Sequence, residues 1–112
     1  MQQVTLKEYL RILRRKIQLR IAANVADVKQ GAFNKRYYVL PDANNKLITL
    51  CRDDVKLLKR AGMMKQNVCH LDLMRECFYV TKLSLNDKPA LSIEERKEKQ
   101  KSWLKYAKKH RL

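Results

Sequence analysis

The sequence predicts a small α+β domain: a long N-terminal helix packed on a small antiparallel sheet, with a short helix and a charged C-terminal helix. Three observations carry that prediction. Apolar residues recur at steps of three or four from Leu6 to Val28, the period of one helix face. Two β-rich runs, "KRYYVLP" and "KLITLC", flank the turn-forming "DANN". The 112 residues are 46% hydrophobic, enough for one small core and too much for a disordered chain.

The first helix opens at Thr5-Leu6-Lys7-Glu8, a capping box in which the threonine hydroxyl accepts an early backbone N–H and Glu8 reaches back. Leu6, Leu10, Leu13, Ile17, Ile21, Val25 and Val28 make one stripe, expected to face the core. Projected at about 100° per residue, Lys7, Arg11, Arg14 and Arg15 gather away from that stripe and are expected to face outward. Ile12 and Leu19 form a second, narrower apolar edge, which marks them as candidate partner contacts. The helix is expected to end near Gln30-Gly31, where Gly31 can adopt the left-handed conformation.

A hairpin follows over residues 36–51, its first strand closed by Pro41, which has no N–H for a ladder. Asp53 or Asp54 is placed to cap a short helix over 53–61, stopped by Gly62. His70 to Glu76 suits another short helix, and the Phe-, Tyr-, Val- and Thr-containing segment near 77–83 reads as a third strand. Three strands under a helix make a viable core where two would be marginal.

Ser92-Ile93-Glu94-Glu95 is a second capping box, opening a charged helix over 93–110 whose acidic start and basic end suit the helix dipole. Trp103, Leu104, Tyr106 and Ala107 are its apolar anchors. Residues 1–91 therefore read as the single domain and 92–112 as a basic helical extension, with Trp103 and Tyr106 as candidate partner contacts.

Charge is the strongest functional signal. The net charge is +15, a self-repulsion usually tolerated for the sake of a polyanionic partner. Residues 7–20 hold six basic residues against Glu8, residues 29–65 nine against three acidic, and residues 94–112 eight against three. Residues 66–91 balance, and read as core or protein-contact surface. The expected phosphate contacts are Lys7, Arg11, Arg14, Arg15, Lys35, Arg36, Lys105, Lys108, Lys109 and Arg111. Tyr37 and Tyr38 follow two of these cations; strand alternation lets only one face out to stack a base, and such tyrosines more often complete a core.

Other chemistries find less support. Cys51, Cys69, His70 and Cys77 lack zinc-ligand spacing, so no metal is expected, and no cofactor motif or Gly-rich phosphate loop occurs. Adjacent Cys69 and His70 do not make a nucleophile–base pair, and Asp53-Asp54 sits where a cap belongs, so no enzyme activity is expected. A helix-turn-helix over residues 52–77 would send the neutral "HLDLMREC" into the major groove, which is poor chemistry for DNA. The aliphatic first helix favours burial over a membrane surface, and no apolar run approaches the length of a span. Three cysteines without a secretory signal point to a reducing setting, the cytoplasm or a virion or nucleoprotein particle, and not to secretion. The expected function is a basic, non-enzymatic intracellular protein that binds DNA or RNA through phosphates. The alternative is a structural protein of a virion or ribonucleoprotein whose terminal helices dock on neighbouring subunits.

Overall fold

Thr5 starts the first helix as expected: its Oγ1 accepts the Glu8 N–H at 3.2 Å. The computed structural model describes residues 5–84 and 86–110. In chain order the elements are α1 (Leu6–Phe33), β1 (Tyr38–Pro41), β2 (Leu47–Leu50), α2 (Arg52–Arg60), α3 (His70–Glu76), β3 (Tyr79–Val80) and α4 (Ile93–Lys109). The α+β class, the long first helix and the three-stranded antiparallel sheet are as the sequence predicts.

α1 runs past Gly31 and stops at Asn34, which takes φ 53° and ψ 45° while its N–H returns to the Gln30 carbonyl at 2.7 Å. Asparagine tolerates the left-handed region through local hydrogen bonding, so it ends the helix in place of the glycine three residues earlier.

The sheet order is β2-β1-β3, with β1 central and both pairings antiparallel. Tyr38 pairs with Leu50 and Pro41 with Leu47 in the hairpin, and Tyr38 with Val80 across the other edge. The hairpin loop is pinned by the Asp42 carboxylate, which accepts the N–H groups of Asn44 and Lys46, and by Asn45 at φ 62°. The third strand is shorter than the 77–83 expected. The Cys77 N–H is taken by the Leu73 carbonyl at the end of α3. Beyond Val80, the Thr81 N–H still donates to the Tyr37 carbonyl at 3.0 Å, but the Thr81 hydroxyl, in place of its carbonyl, accepts the Tyr37 N–H at 2.9 Å.

Two questions of exposure are decided by the packing, and the first goes to the core: neither Tyr37 nor Tyr38 faces out. Tyr37 and Tyr38 are both buried, at 6% and 5% exposure. Tyr37 lies beneath Lys29 of α1, whose ammonium sits 5.8 Å from the ring centre. Tyr38 points the other way and shares a 2.5 Å hydrogen bond with His70 Nδ1 of α3. A central strand with helices on both sides has no free face for a base-stacking tyrosine.

The second concerns α1 and is a correction. Its buried residues are Leu19, Ala23, Ala26 and Gln30, whereas the stripe expected to be core is exposed: Leu10 at 54%, Ile17 at 47%, Ile21 at 58% and Val28 at 71%. The core is filled by large aromatic residues, with Tyr37, Phe78, Tyr79 and Trp103 all buried. Ala23 and Ala26 let the middle of α1 approach this aromatic core closely, with the larger Leu19 and Gln30 buried on either side of them.

The shorter helices follow one capping rule. In α2 the cap is Cys51, with the Asp54 carboxylate accepting its N–H at 3.0 Å, so Asp53 is left to other uses. In α3, Asp72 does the same for Cys69 at 2.9 Å. α4 has the expected reciprocal box, Ser92 with Glu95, both bonds at 3.1 Å. Among the described residues, no helix is long and apolar enough to cross a membrane.

Candidate nucleic-acid interface

α4 seats on α1 through one large side chain. Trp103 is fully buried and its indole N–H donates to the Arg15 carbonyl at 2.9 Å. Its ring packs against Phe78, with centroids 5.2 Å apart, and stacks on Tyr106. N-terminal to this anchor on α4, the small Ala23 and the buried Leu19 leave an open groove of about 390 Å³ between the helices, with Phe78 and Tyr79 as part of its wall.

Four cations line that groove: Lys16 and Arg20 from α1, Arg96 and Lys97 from α4. The remaining polar side chain on the lining is Gln100, and there is no carboxylate on it. Among the described residues, the ion pairs are Lys35–Asp53, Arg75–Asp72 and Lys101–Glu98, so none of the four groove cations has a salt-bridge partner. Arg96 is held by stacking instead, its guanidinium carbon 4.9 Å from the centre of the Tyr79 ring. Tyr79 is in turn fixed by donating its hydroxyl to Asp27 at 2.8 Å. Burial, followed by that carboxylate contact, pushes the Tyr79 pKa up to about 12. The chain Asp27–Tyr79–Arg96 thus orients one cation of the groove without neutralising it.

The residues singled out from the sequence are dispersed. Lys7, Arg11 and Arg14 are exposed on α1, on the opposite edge of the helix from Lys16 and Arg20. Arg15 does not face outward as expected. It is half-buried, donates to Gln18 at 2.8 Å, and its Nε has no partner; burial and the neighbouring Arg14 and Arg11 lower its pKa. Lys35 is bound to Asp53 at 2.5 Å, a contact that raises the lysine's pKa and lowers the aspartate's. Arg36 is half-buried and spends its Nε on the Thr81 carbonyl at 3.1 Å. Lys105, Lys108 and Lys109 are exposed on α4, and Arg111 lies outside the described residues.

The partner contacts fare differently from one another. Leu19 and Trp103 are buried in the protein's own core, Tyr106 is half-buried with its hydroxyl on Asn45, and Ile12 is exposed. Sequence reasoning missed Arg96 and Lys97 because Glu94, Glu95 and Glu98 surround them and make the start of α4 look balanced. Helical spacing separates the two sets: Trp103 marks the buried side, and stepping back by seven residues lands on Arg96.

The residues weighed for metal or catalytic chemistry have structural occupations. Cys51 and Cys69 cap α2 and α3, Cys77 is buried, and His70 is engaged by Tyr38. Compared with protein-family models, curated proteins and solved structures, the chain matches none of them.

Proposed function

We propose that this is a non-enzymatic protein that binds nucleic acid through phosphates, with the sugar–phosphate backbone seated in the α1/α4 groove. The observation that carries the reading is the groove itself, with four cations from two helices facing a common space and no carboxylate among them. Cations that neutralise phosphates release the counterions condensed on the nucleic acid, which gives affinity without base reading. Phe78 and Tyr79 are buried and do not offer faces for stacking, so the reading rests on phosphate contacts, which carry no base sequence. Lys7, Arg11 and Arg14, with Lys105, Lys108 and Lys109, are exposed cations outside the groove and add to the general positive charge. The three free cysteines suit a compartment where thiols stay reduced, in the cytoplasm or inside a nucleoprotein particle such as a virion.

The test is a titration of labelled single-stranded and duplex oligonucleotides across a salt series. If four phosphates are neutralised, the log–log slope on duplex is about −3.6, and Arg96→Gln with Lys97→Gln reduces it by about 1.8. Salt-independent binding, no binding, or a slope unaffected by the double substitution would overturn the proposal.

A further inference from the structure

We infer that the outer face of α1 docks an amphipathic helix of a partner protein that carries acidic residues along both of its edges. The face is a line of aliphatic side chains running from Leu6 to Val28, and at its middle Leu10, Leu13, Ile17 and Ile21 are 54%, 40%, 47% and 58% exposed. Projected at about 100° per residue, the line lies opposite Leu19, Ala23 and Ala26, the residues that face the core. Soluble proteins seldom leave so long a run of contiguous aliphatic surface uncovered, and when they do it marks a contact site.

The shape of the line selects a rod. Its steps average about 3.7 residues, close to the 3.6 of a straight helix, so it drifts by only about 40° over about 33 Å. A helix laid alongside can follow it with a slight right-handed crossing, as suits a spacing just above 3.6, in place of the left-handed supercoil that a strict seven-residue repeat imposes.

The charges select the chemistry of that rod. Lys7, Arg11 and Arg14 border the line on one side and Lys16 and Arg20 on the other, all exposed. Glu8, the single acidic residue between positions 7 and 20, projects toward the opposite arc. Both edges of this stretch are therefore cationic, and glutamates flanking a partner's apolar stripe complement them. A second copy of α1 would instead press one such stretch against another, each with six basic residues and one acidic. Interfacial membrane helices carry Trp, Phe and Leu on the apolar face, whereas this line has no Trp or Phe and adds the β-branched Ile and Val of helix–helix packing.

The experiment uses the full chain and a synthetic helical peptide of about 25 residues, long enough to span the line. The peptide carries Leu and Ile at the spacing of α1 and Glu at the edge positions. A second peptide has Lys in place of every Glu, and a third is a scramble of the first. By fluorescence anisotropy the acidic peptide is expected to bind at least about tenfold more tightly than either control. Combining Leu13→Gln with Ile17→Gln weakens it by about tenfold or more. Both positions are exposed, so the variant keeps its far-ultraviolet circular dichroism and its affinity for oligonucleotides, while Arg96→Gln with Lys97→Gln leaves peptide binding unchanged. Equal binding of the lysine peptide, or no loss in the aliphatic variant, overturns the inference. So does concentration-dependent dimerisation abolished by that variant, which identifies a second copy as the occupant. Co-flotation with phosphatidylglycerol–phosphatidylcholine vesicles, lost in the same variant, overturns it in favour of a lipid surface.

Discussion

The indole N–H of Trp103 donates to the backbone carbonyl of Arg15 at 2.9 Å, joining α4 to the middle of α1 across 88 residues of sequence. A helical carbonyl has a second lone pair after its own helix bond is made, and here the indole takes it. The indole is fully buried, and Trp103 is the chain's single tryptophan. One turn along α1 lies Arg20, and two turns back along α4 lie Arg96 and Lys97, so this hydrogen bond sets the spacing of the groove's cations.

Removing the tryptophan therefore separates packing from hydrogen bonding. Trp103→Phe keeps most of the apolar volume and loses the donor, leaving the Arg15 carbonyl bonded within its helix. The expected cost is about 1 kcal/mol from the hydrogen bond, with a further loss for the smaller ring. Trp103→Ala leaves a cavity among Phe78, Tyr106 and α1 and costs about 3–5 kcal/mol. Urea unfolding followed by circular dichroism measures both, and oligonucleotide affinity falls with the alanine variant because the groove loses one wall.

The groove also predicts which cations matter little. Lys35 has Asp53 at 2.5 Å, whereas Arg96 has no carboxylate partner. Lys35→Gln is expected to leave the salt dependence of oligonucleotide binding unchanged, and Arg96→Gln to lower its slope by about 0.9. A larger effect from Lys35 than from Arg96 would move the interface away from the α1/α4 groove.

Tyr79 predicts a pH dependence. Its pKa is pushed up to about 12, first by burial and then by the Asp27 contact, from an ordinary value of 10.0. A group with a raised folded-state pKa contributes stability that is present below its unfolded pKa and lost as pH rises through the folded one. The contribution of Tyr79 is therefore intact below about pH 10 and disappears between about 10 and 12. In the tyrosinate absorbance titration Tyr79 ionises late among the five tyrosines. Asp27→Asn brings that ionisation part of the way down, since burial remains. Tyr79→Phe makes stability decline less steeply across the same interval.

Much of this architecture is written in local signals. The Thr5 and Ser92 caps, the "DANN" turn, the hairpin, and the helices after Thr5, Cys51 and Ser92 all rest on residues that act on their own neighbours, and these expectations hold. What local pattern does not specify is which of two apolar faces a helix turns inward. Leu10, Ile17 and Ile21 look like core by size and period, while Ala23 and Ala26 look like filler. The choice is made elsewhere in the chain, where Trp103, Phe78 and Tyr79 fill the core and the face holding Ala23 and Ala26 lets α1 approach them closely. The groove was hidden for the same kind of reason, since its cations come from positions 16, 20, 96 and 97 and meet only through the Trp103 contact.

The sidedness of α1 can be tested directly by paired substitutions. Ala26 is 0% exposed and lies on the face that meets the sheet, so Ala26→Leu forces added methylenes into filled space and is expected to destabilise by about 1–3 kcal/mol. Ile17 is 47% exposed, and Ile17→Ala removes side-chain atoms that already touch water in the monomer. Alanine also has the higher helix propensity, which offsets the apolar contact that remains, so the net change stays within about 0.5 kcal/mol. The two effects are read from urea midpoints at constant m-value. A neutral Ala26→Leu together with a loss of about 2–5 kcal/mol in Ile17→Ala would mean that α1 is turned the other way, with its aliphatic line in the core.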